Sequence, residues 1–407
     1  MPRAKSHEWK FRRTFRAHAL GWRGSAAAIV KLRAALAEIR QVAKKNQALA
    51  ADGAVALLTR ISPAFDQIDG SSGALGSAVN AAVDEMAELI AHAPLDDKSR
   101  TLLLERLWQA FVDDGMGYLD CFADSWGDVC GSAATAAAWA DRIETAIGAA
   151  RANGAEEYEF VKEMQAYYSS LLAAGLSDRL FAAIDLKTRR SWLERQWGFK
   201  ALVAQGKPED ALRYAEACDG PPHSDFGRAE AMEDLLLNLG RTDEAYERFA
   251  VTNVDRPGTN LAAYKRLAAK YPAFPPSRML ADLVASTPGR EGKWFATAVH
   301  LELYDYALAL VESSPADPKT LMRAAVKHAK GNPTFAYRTA EAALRWLAEG
   351  YGYEITVFEA VQMIRAGIAI ARAVGNDAEF LERARVCCGS KRIFWEAVRG
   401  LLRNELD

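Results

Sequence analysis

The sequence has few cysteines and none in a recognisable motif. The five are Cys121, Cys130, Cys218, Cys387 and Cys388. No two have the two-residue spacing of zinc knuckles or redox motifs, and an odd number does not suit a disulfide framework. We therefore expect a reducing compartment, the cytoplasm, with the adjacent pair acting as two small apolar side chains rather than as a thiol switch.

Long apolar runs and alternating strand patterns are also missing. No stretch approaches the roughly 18 consecutive apolar residues of a membrane span, and the start of the chain lacks the apolar core of a secretory signal. Long Val/Ile/Thr alternation is absent, whereas Ala, the best helix former, is abundant. The composition predicts an all-α protein with no membrane span.

No catalytic signature is present. The turn Gly70-Ser71-Ser72-Gly73 lacks the Lys of a phosphate-binding loop, and no nucleophile elbow of the Gly-x-Ser-x-Gly type occurs. The six histidines are scattered without metal-ligand spacing. We therefore predict no catalytic residue, cofactor or metal, and expect a binding protein; an enzyme of unknown class is the least favoured alternative.

One acidic pattern leaves an alternative open. Asp120, Asp124 and Asp128 follow each other at four-residue intervals, which would place three carboxylates on one face of a helix. Such a stripe can bind divalent cations or a basic partner, but a solvated acidic face is commoner and is the favoured interpretation. Trp126, between the last two, is expected in the core.

The length of 407 residues exceeds the roughly 250 to 300 at which a single core stops growing, so two domains or a repeat array are expected. Apolar Leu32, Leu36 and Ile39 step by three and four, as in an amphipathic helix. We predict a basic segment and first helix over 1–45, a helical bundle or HEAT-like domain over 46–185, and a TPR-like α-solenoid over 186–407.

An internal echo supports the last of these domains. Gly206-Lys207-Pro208-Glu209-Asp210-Ala211 recurs as Gly240-Arg241-Thr242-Asp243-Glu244-Ala245, 34 residues later, and 34 is the tetratricopeptide period. The Gly closes one helix in a left-handed turn, and the acidic residues favour the start of the next. A looser third copy has its alanine at Ala307. Seven residues before each Gly, where tetratricopeptides prefer a small side chain, stand Phe199 and Glu233.

The first 45 residues are strongly basic. They hold twelve Lys and Arg against two Glu, a net charge of +10 in a chain that carries −2 overall. The binding candidates are Lys10, Arg12, Arg13, Arg16 and Arg23, interleaved with Trp9, Phe11, Phe15 and Trp22. Three interpretations stay open: docking on the acidic body of the same chain, binding of nucleic-acid phosphate, and binding of an acidic protein or membrane surface.

Three stretches resemble an uncharacterised family of bacterial α-helical proteins with TPR-like repeats in the C-terminal half. They are Phe11 to Trp22, Ser62 to Gly73 with Asn80, and Gly289 to Phe295. The resemblance implies a bacterial, cytoplasmic protein, and it implies no activity and no catalytic residues.

These patterns favour a non-enzymatic scaffold or adaptor that mediates protein–protein interaction, because stacked helix pairs form an extended groove. The residues predicted to line such a groove are Tyr264, Lys265, Trp294 and Tyr304, where aromatic and basic side chains cluster near the break in the repeat. The alternative is a nucleic-acid-binding accessory protein that uses the basic N-terminal segment.

Overall fold

A computed structural model describes residues 7–71, 73–154, 161–186, 191–219, 226–251, 259–389 and 392–406. Helices account for 75% of the described residues, and these ranges contain no strand. The predicted all-α class is confirmed. The chain divides into two compact units, Met1–Pro221 and Pro222–Asp407.

The first unit contains ten α-helices within its described residues, together with 3-10 turns at Lys10–Arg13 and Asp120–Ser125. The helices are α1 (Ser25–Ala43), α2 (Gln47–Phe65), α3 (Ala74–Ala91), α4 (Asp97–Val112), α5 (Trp126–Val129), α6 (Ala133–Ala152), α7 (Val161–Ala173), α8 (Ser177–Asp185), α9 (Trp192–Ala204) and α10 (Pro208–Glu216).

The described residues of the second unit form α11 (Phe226–Asn238), α12 (Thr242–Ala245) with a π-helical continuation at Tyr246–Ala250, α13 (Asn260–Lys270), α14 (Pro276–Ala285), a 3-10 turn at Glu291–Trp294, α15 (Phe295–His300), α16 (Tyr304–Ser313), α17 (Pro318–His328), α18 (Pro333–Ala348), α19 (Val357–Ala373), α20 (Asp377–Cys388), α21 (Ile393–Leu401) and α22 (Arg403–Leu406).

Several helices begin where side-chain caps predict. The Asp96 carboxylate accepts from the Ser99 N–H at the start of α4, and Asp317 caps α17, whose first residue is Pro318. At α19 the Thr356 hydroxyl and the Glu359 carboxylate satisfy each other's backbone N–H groups in a capping box. These caps satisfy orphan donors at the helix starts, so the boundaries follow from local chemistry.

The repeated turn has one backbone geometry wherever it occurs. Gly206 and Gly240 have φ of 69° and 72°, and Glu302, at the matching position of the looser third copy, has φ of 59°. In each, the left-handed residue donates to the carbonyl three residues back, and the next residue donates to the carbonyl five residues back. The same bonds occur at Gly175, Gly350 and Gly375. The apolar residue five positions after the turn is fully buried in five of these six turns, at Leu180, Ala211, Ala245, Ala307 and Phe380, and Ile355, after Gly350, is 7% exposed.

The first repeat copy belongs to the first unit, whereas the predicted boundary lay at residue 186. Helix α9 packs on α7, α8 and α10, and the indole N–H of Trp197 donates to the buried Gln165 side chain at 2.8 Å. Tetratricopeptides prefer a small residue at the position of Phe199, and in this chain the small residue is its neighbour Gly198. A Cβ on Gly198 would lie 2.6 Å from the Tyr214 ring, so glycine allows this close packing. The division at 221/222 therefore separates the two closest copies of the repeat.

A buried guanidinium joins three elements of the first unit. Arg100, on α4, is 8% exposed and donates to the carbonyls of Ile90, Ala93 and Val129 at 2.7–3.0 Å. These carbonyls end α3 and α5, where unpaired acceptors and the negative end of the helix dipole favour a cation. Trp126 lies fully buried beside this junction, as predicted.

Among the described residues, α2 alone is long and apolar enough to cross a membrane by composition. In the folded chain 67% of that stretch is buried, and its apolar residues pack against α1, α3 and α4. Helix α2 is thus the central helix around which this part of the first unit is built.

Candidate functional site

Residues 7–24, called the N-terminal strap below, lie along α2 and are fixed at both ends. The Trp9 ring lies on Gly53, where an added Cβ would come within 2.2 Å of the ring. At the far end the His18 N–H donates to the Pro63 carbonyl at 3.0 Å, and the Asp69 N–H donates to the Trp22 carbonyl at 3.0 Å. The strap therefore runs in the same direction as α2.

Aromatic rings bind the strap to the core. Trp9, Phe11 and Phe15 are 1%, 4% and 2% exposed, and Phe15 continues the ring contacts to Phe65 with centroids 5.5 Å apart. Burial of three such side chains contributes several kcal/mol before the entropy of ordering the strap is counted. These three aromatic rings of the strap are therefore packed on their own chain, which is one of the three interpretations that the sequence left open.

Hydrogen bonds fix the strap against α1 as well. The backbone N–H groups of Lys10 and Phe11 donate to the Glu38 carboxylate at 2.9 and 3.2 Å. Glu38 is one of the two acidic residues in the basic segment, and this contact uses both of its oxygens. It holds the 3-10 turn in a single orientation, so the side chains between the buried rings point outward.

The basic side chains of the strap are all solvent-exposed. Arg13 pairs with Glu8 at 2.7 Å, but within the described residues Arg12, Arg16 and Arg23 form no ion pair. The carboxylates that contact the strap or follow its end have other partners: Glu38 accepts from the strap backbone, one oxygen of Asp66 pairs with His18, and Asp69 accepts from the Ser71 N–H. Within the described residues these three arginines therefore form none of the ion pairs through which they could dock on the acidic body of the same chain.

Two arginines outside the strap, Arg60 and Arg106, belong to the same charge environment as Arg12, and sequence reasoning missed both. Arg60, half-buried on α2, donates to the Ala56 carbonyl at 3.2 Å, and Arg106 of α4 pairs with Asp52 at 2.6 Å. Burial lowers the pKa of Arg60, and the charges of Arg12 and Arg106 lower it further. No local signal joins them, because they come from three separate elements.

The acidic stripe is not built as predicted. Asp120 and Asp124 lie in the 3-10 turn and Asp128 in the short α5, so four-residue spacing does not place them on one α-helical face. Burial raises the pKa of Asp124, while Lys200 opposes that shift. No three His, Cys, Asp or Glu side chains of the described chain converge as metal ligands.

The predicted groove residues have other roles. Tyr264 and Trp294 are 4% and 2% exposed, and the Trp294 indole N–H donates to Thr287 at 2.8 Å. Tyr304 is half-buried against Phe335, with ring centroids 4.9 Å apart, while Lys265 is exposed. The prediction that Tyr264 and Trp294 line an open groove is therefore wrong, because both fill the core between helices.

No protein-family model matches this chain, and no curated protein matches it at a significant level.

Proposed function

We propose that this protein is a non-enzymatic binding protein whose N-terminal strap holds the phosphate backbone of a nucleic acid. One observation carries the proposal: Arg12, Arg16 and Arg23 are exposed, unpaired within the described residues, and fixed on a strap whose rings are buried. A backbone that is fixed before binding loses little further entropy when its basic side chains meet phosphate.

The strap exposes several basic side chains and a single large apolar ring, that of Trp22, and such a surface suits a polyphosphate better than a folded protein. Protein interfaces draw most of their energy from a few desolvated aromatic or aliphatic side chains at their centre. The strap has turned Trp9, Phe11 and Phe15 inward. Phosphate binding requires only basic groups, since much of its free energy comes from the release of counterions.

The second candidate is an adaptor that mediates protein–protein interaction in a bacterial cytoplasm, with a TPR-like α-solenoid over the C-terminal half. It is supported by the recurrence of the left-handed turn and by exposed side chains in the second unit. Tyr353, Phe358 and Ile393 are 92%, 67% and 85% exposed. This candidate led on sequence alone, and it ranks second here because two of its four groove residues are buried.

Anisotropy titration of labelled DNA and RNA at low salt tests the first candidate. Wild type should bind, and Arg12→Gln/Arg16→Gln/Arg23→Gln should lose most of the affinity, because each removed phosphate contact also removes one released counterion. Lys265→Gln/Arg266→Gln, two exposed cations of the second unit, is the charge control and should bind as wild type does.

Capture from a bacterial lysate, with and without nuclease, tests the second candidate. The adaptor proposal expects one protein that persists after nuclease treatment and is lost with Tyr353→Ser/Ile393→Ser. If capture is unchanged in that variant, the exposed side chains of the second unit are not its binding surface.

A further inference from the structure

We infer that the strap binds double-stranded rather than single-stranded nucleic acid, through phosphate contacts and without preference for base sequence. The inference rests on the proposed function and deepens it, because it names the form of the ligand. Three features of the strap carry it: the burial of its rings, the length of its fixed charge array, and the position of Arg60.

The buried rings argue against a single strand. Proteins that bind single strands stack bases on aromatic side chains, each worth about 1–3 kcal/mol. Trp9, Phe11 and Phe15 contact each other and the core, and exposing them would open the packing against Gly53 and Phe65. Trp22, 68% exposed, is the one aromatic side chain of the strap that is open to solvent. A single ring cannot form a stacking platform for successive bases.

The charge array has the length and stiffness that suit a duplex. The strap follows α2 from Gly53 to Phe65, about 18 Å at a rise of about 1.5 Å per residue. A duplex carries one phosphate per roughly 1.7 Å of its axis with both strands counted, so about 18 Å of duplex carries roughly ten charges, of which the strap would face those on one side. A duplex is also stiff over about 150 base pairs and loses little freedom on a rigid surface.

The position of Arg60 indicates that base edges are not read. Its guanidinium lies half-buried and donates to the Ala56 carbonyl at 3.2 Å. Because the Arg60 guanidinium does not project from the surface, it can contact only the outermost atoms of a ligand. In a duplex these atoms belong to the phosphates. The described strap has no projecting helix or β-ribbon to enter a groove, and the sequence of the duplex should have little effect.

The test compares one sequence as duplex and as single strand, by fluorescence anisotropy over a series of salt concentrations. The duplex should bind at least about tenfold more tightly, and two unrelated duplexes should agree within about twofold. Log affinity against log salt should have a slope of about −0.9 for each neutralised phosphate.

Two variants locate the effect. Arg12→Gln/Arg16→Gln/Arg23→Gln should reduce the magnitude of the slope by about three, whereas Arg12→Lys/Arg16→Lys/Arg23→Lys should keep it. Circular dichroism should show that both variants stay folded, since these side chains are exposed.

The outcomes separate the inference from the function it rests on. Equal or tighter binding of the single strand, or duplex affinity that varies strongly with sequence, overturns the duplex inference while nucleic-acid binding stands. No binding of either form at low salt overturns both. Binding of polyglutamate but not of nucleic acid would assign the strap to an acidic protein partner and likewise overturn both.

Discussion

Replacing Gly53 by alanine should loosen the strap while leaving α2 intact. The new Cβ would lie 2.2 Å from the Trp9 ring, a separation that atoms do not tolerate. The ring is 1% exposed and enclosed by neighbours, so it cannot move aside within the core. The strap must therefore lift at its Trp9 end, or α2 must shift away from it.

Two opposing terms set the magnitude. Alanine in place of glycine inside a helix contributes about 1 kcal/mol of stability. Loss of the buried Trp9 contact costs about 3 kcal/mol, the usual value for a large buried aromatic side chain. The net loss in the free energy of unfolding should be about 2 kcal/mol. Opening of the strap leaves α2 helical, so only the loss of about 3 kcal/mol applies to it, and opening should become roughly 100-fold more frequent, because each 1.4 kcal/mol is tenfold.

Limited trypsin digestion measures the opening directly, since the strap carries Lys10, Arg12 and Arg13 as cleavage sites. Gly148→Ala is the matched control. Gly148 is exposed within α6 of the same unit and has no atom within 4 Å of its Cβ position, so this variant should gain about 1 kcal/mol with unchanged cleavage. If Gly53→Ala behaves like Gly148→Ala in both assays, Trp9 does not lie on α2 and the seating of the strap is refuted.

Three further predictions concern the core. Arg100→Leu leaves three buried carbonyls without a donor. Urea denaturation should therefore show a loss of at least about 3 kcal/mol in the free energy of unfolding, of which Arg100→Lys recovers only part. An unchanged denaturation midpoint would exclude the proposed capping role. Burial raises the pKa of the Cys130 thiol to about 12 from an ordinary 9.0. The unfolded chain therefore loses this proton at a lower pH than the folded chain does, and the free energy of unfolding falls as pH rises from 9 to 12. Cys130→Ala should remove that part of the alkaline slope, and an identical slope would contradict the assignment. Tyr271→Phe removes a hydroxyl that donates to the buried Glu233 carboxylate. Thermal unfolding should show a loss of about 1–3 kcal/mol in stability. No loss would mean that Lys270 and other neighbours satisfy the carboxylate without the hydroxyl.

The sequence alone determined the helices and their ends. Leu32, Leu36 and Ile39 were expected on one face of the first helix, and all three are buried. The cap at Asp96 and the capping box at Thr356 and Glu359 also follow from residues at most four positions apart. Such interactions are local, so a linear pattern is enough to predict them. The turns at Gly175 and Gly375 were missed, although each has an acidic residue two or three positions later and an apolar one at the fifth.

Only the tertiary structure decided which side chains face solvent. The rings and the arginines of the strap alternate in the sequence, but the contact with α2 turned Trp9, Phe11 and Phe15 inward and left the arginines outside. It placed Arg60 where the charge of Arg12, 48 positions earlier in the sequence, lowers its pKa. In the second unit Trp294, a groove candidate by composition, lies in the core. The physical reason is that burial depends on which elements meet, and that is set by packing between residues far apart in the chain.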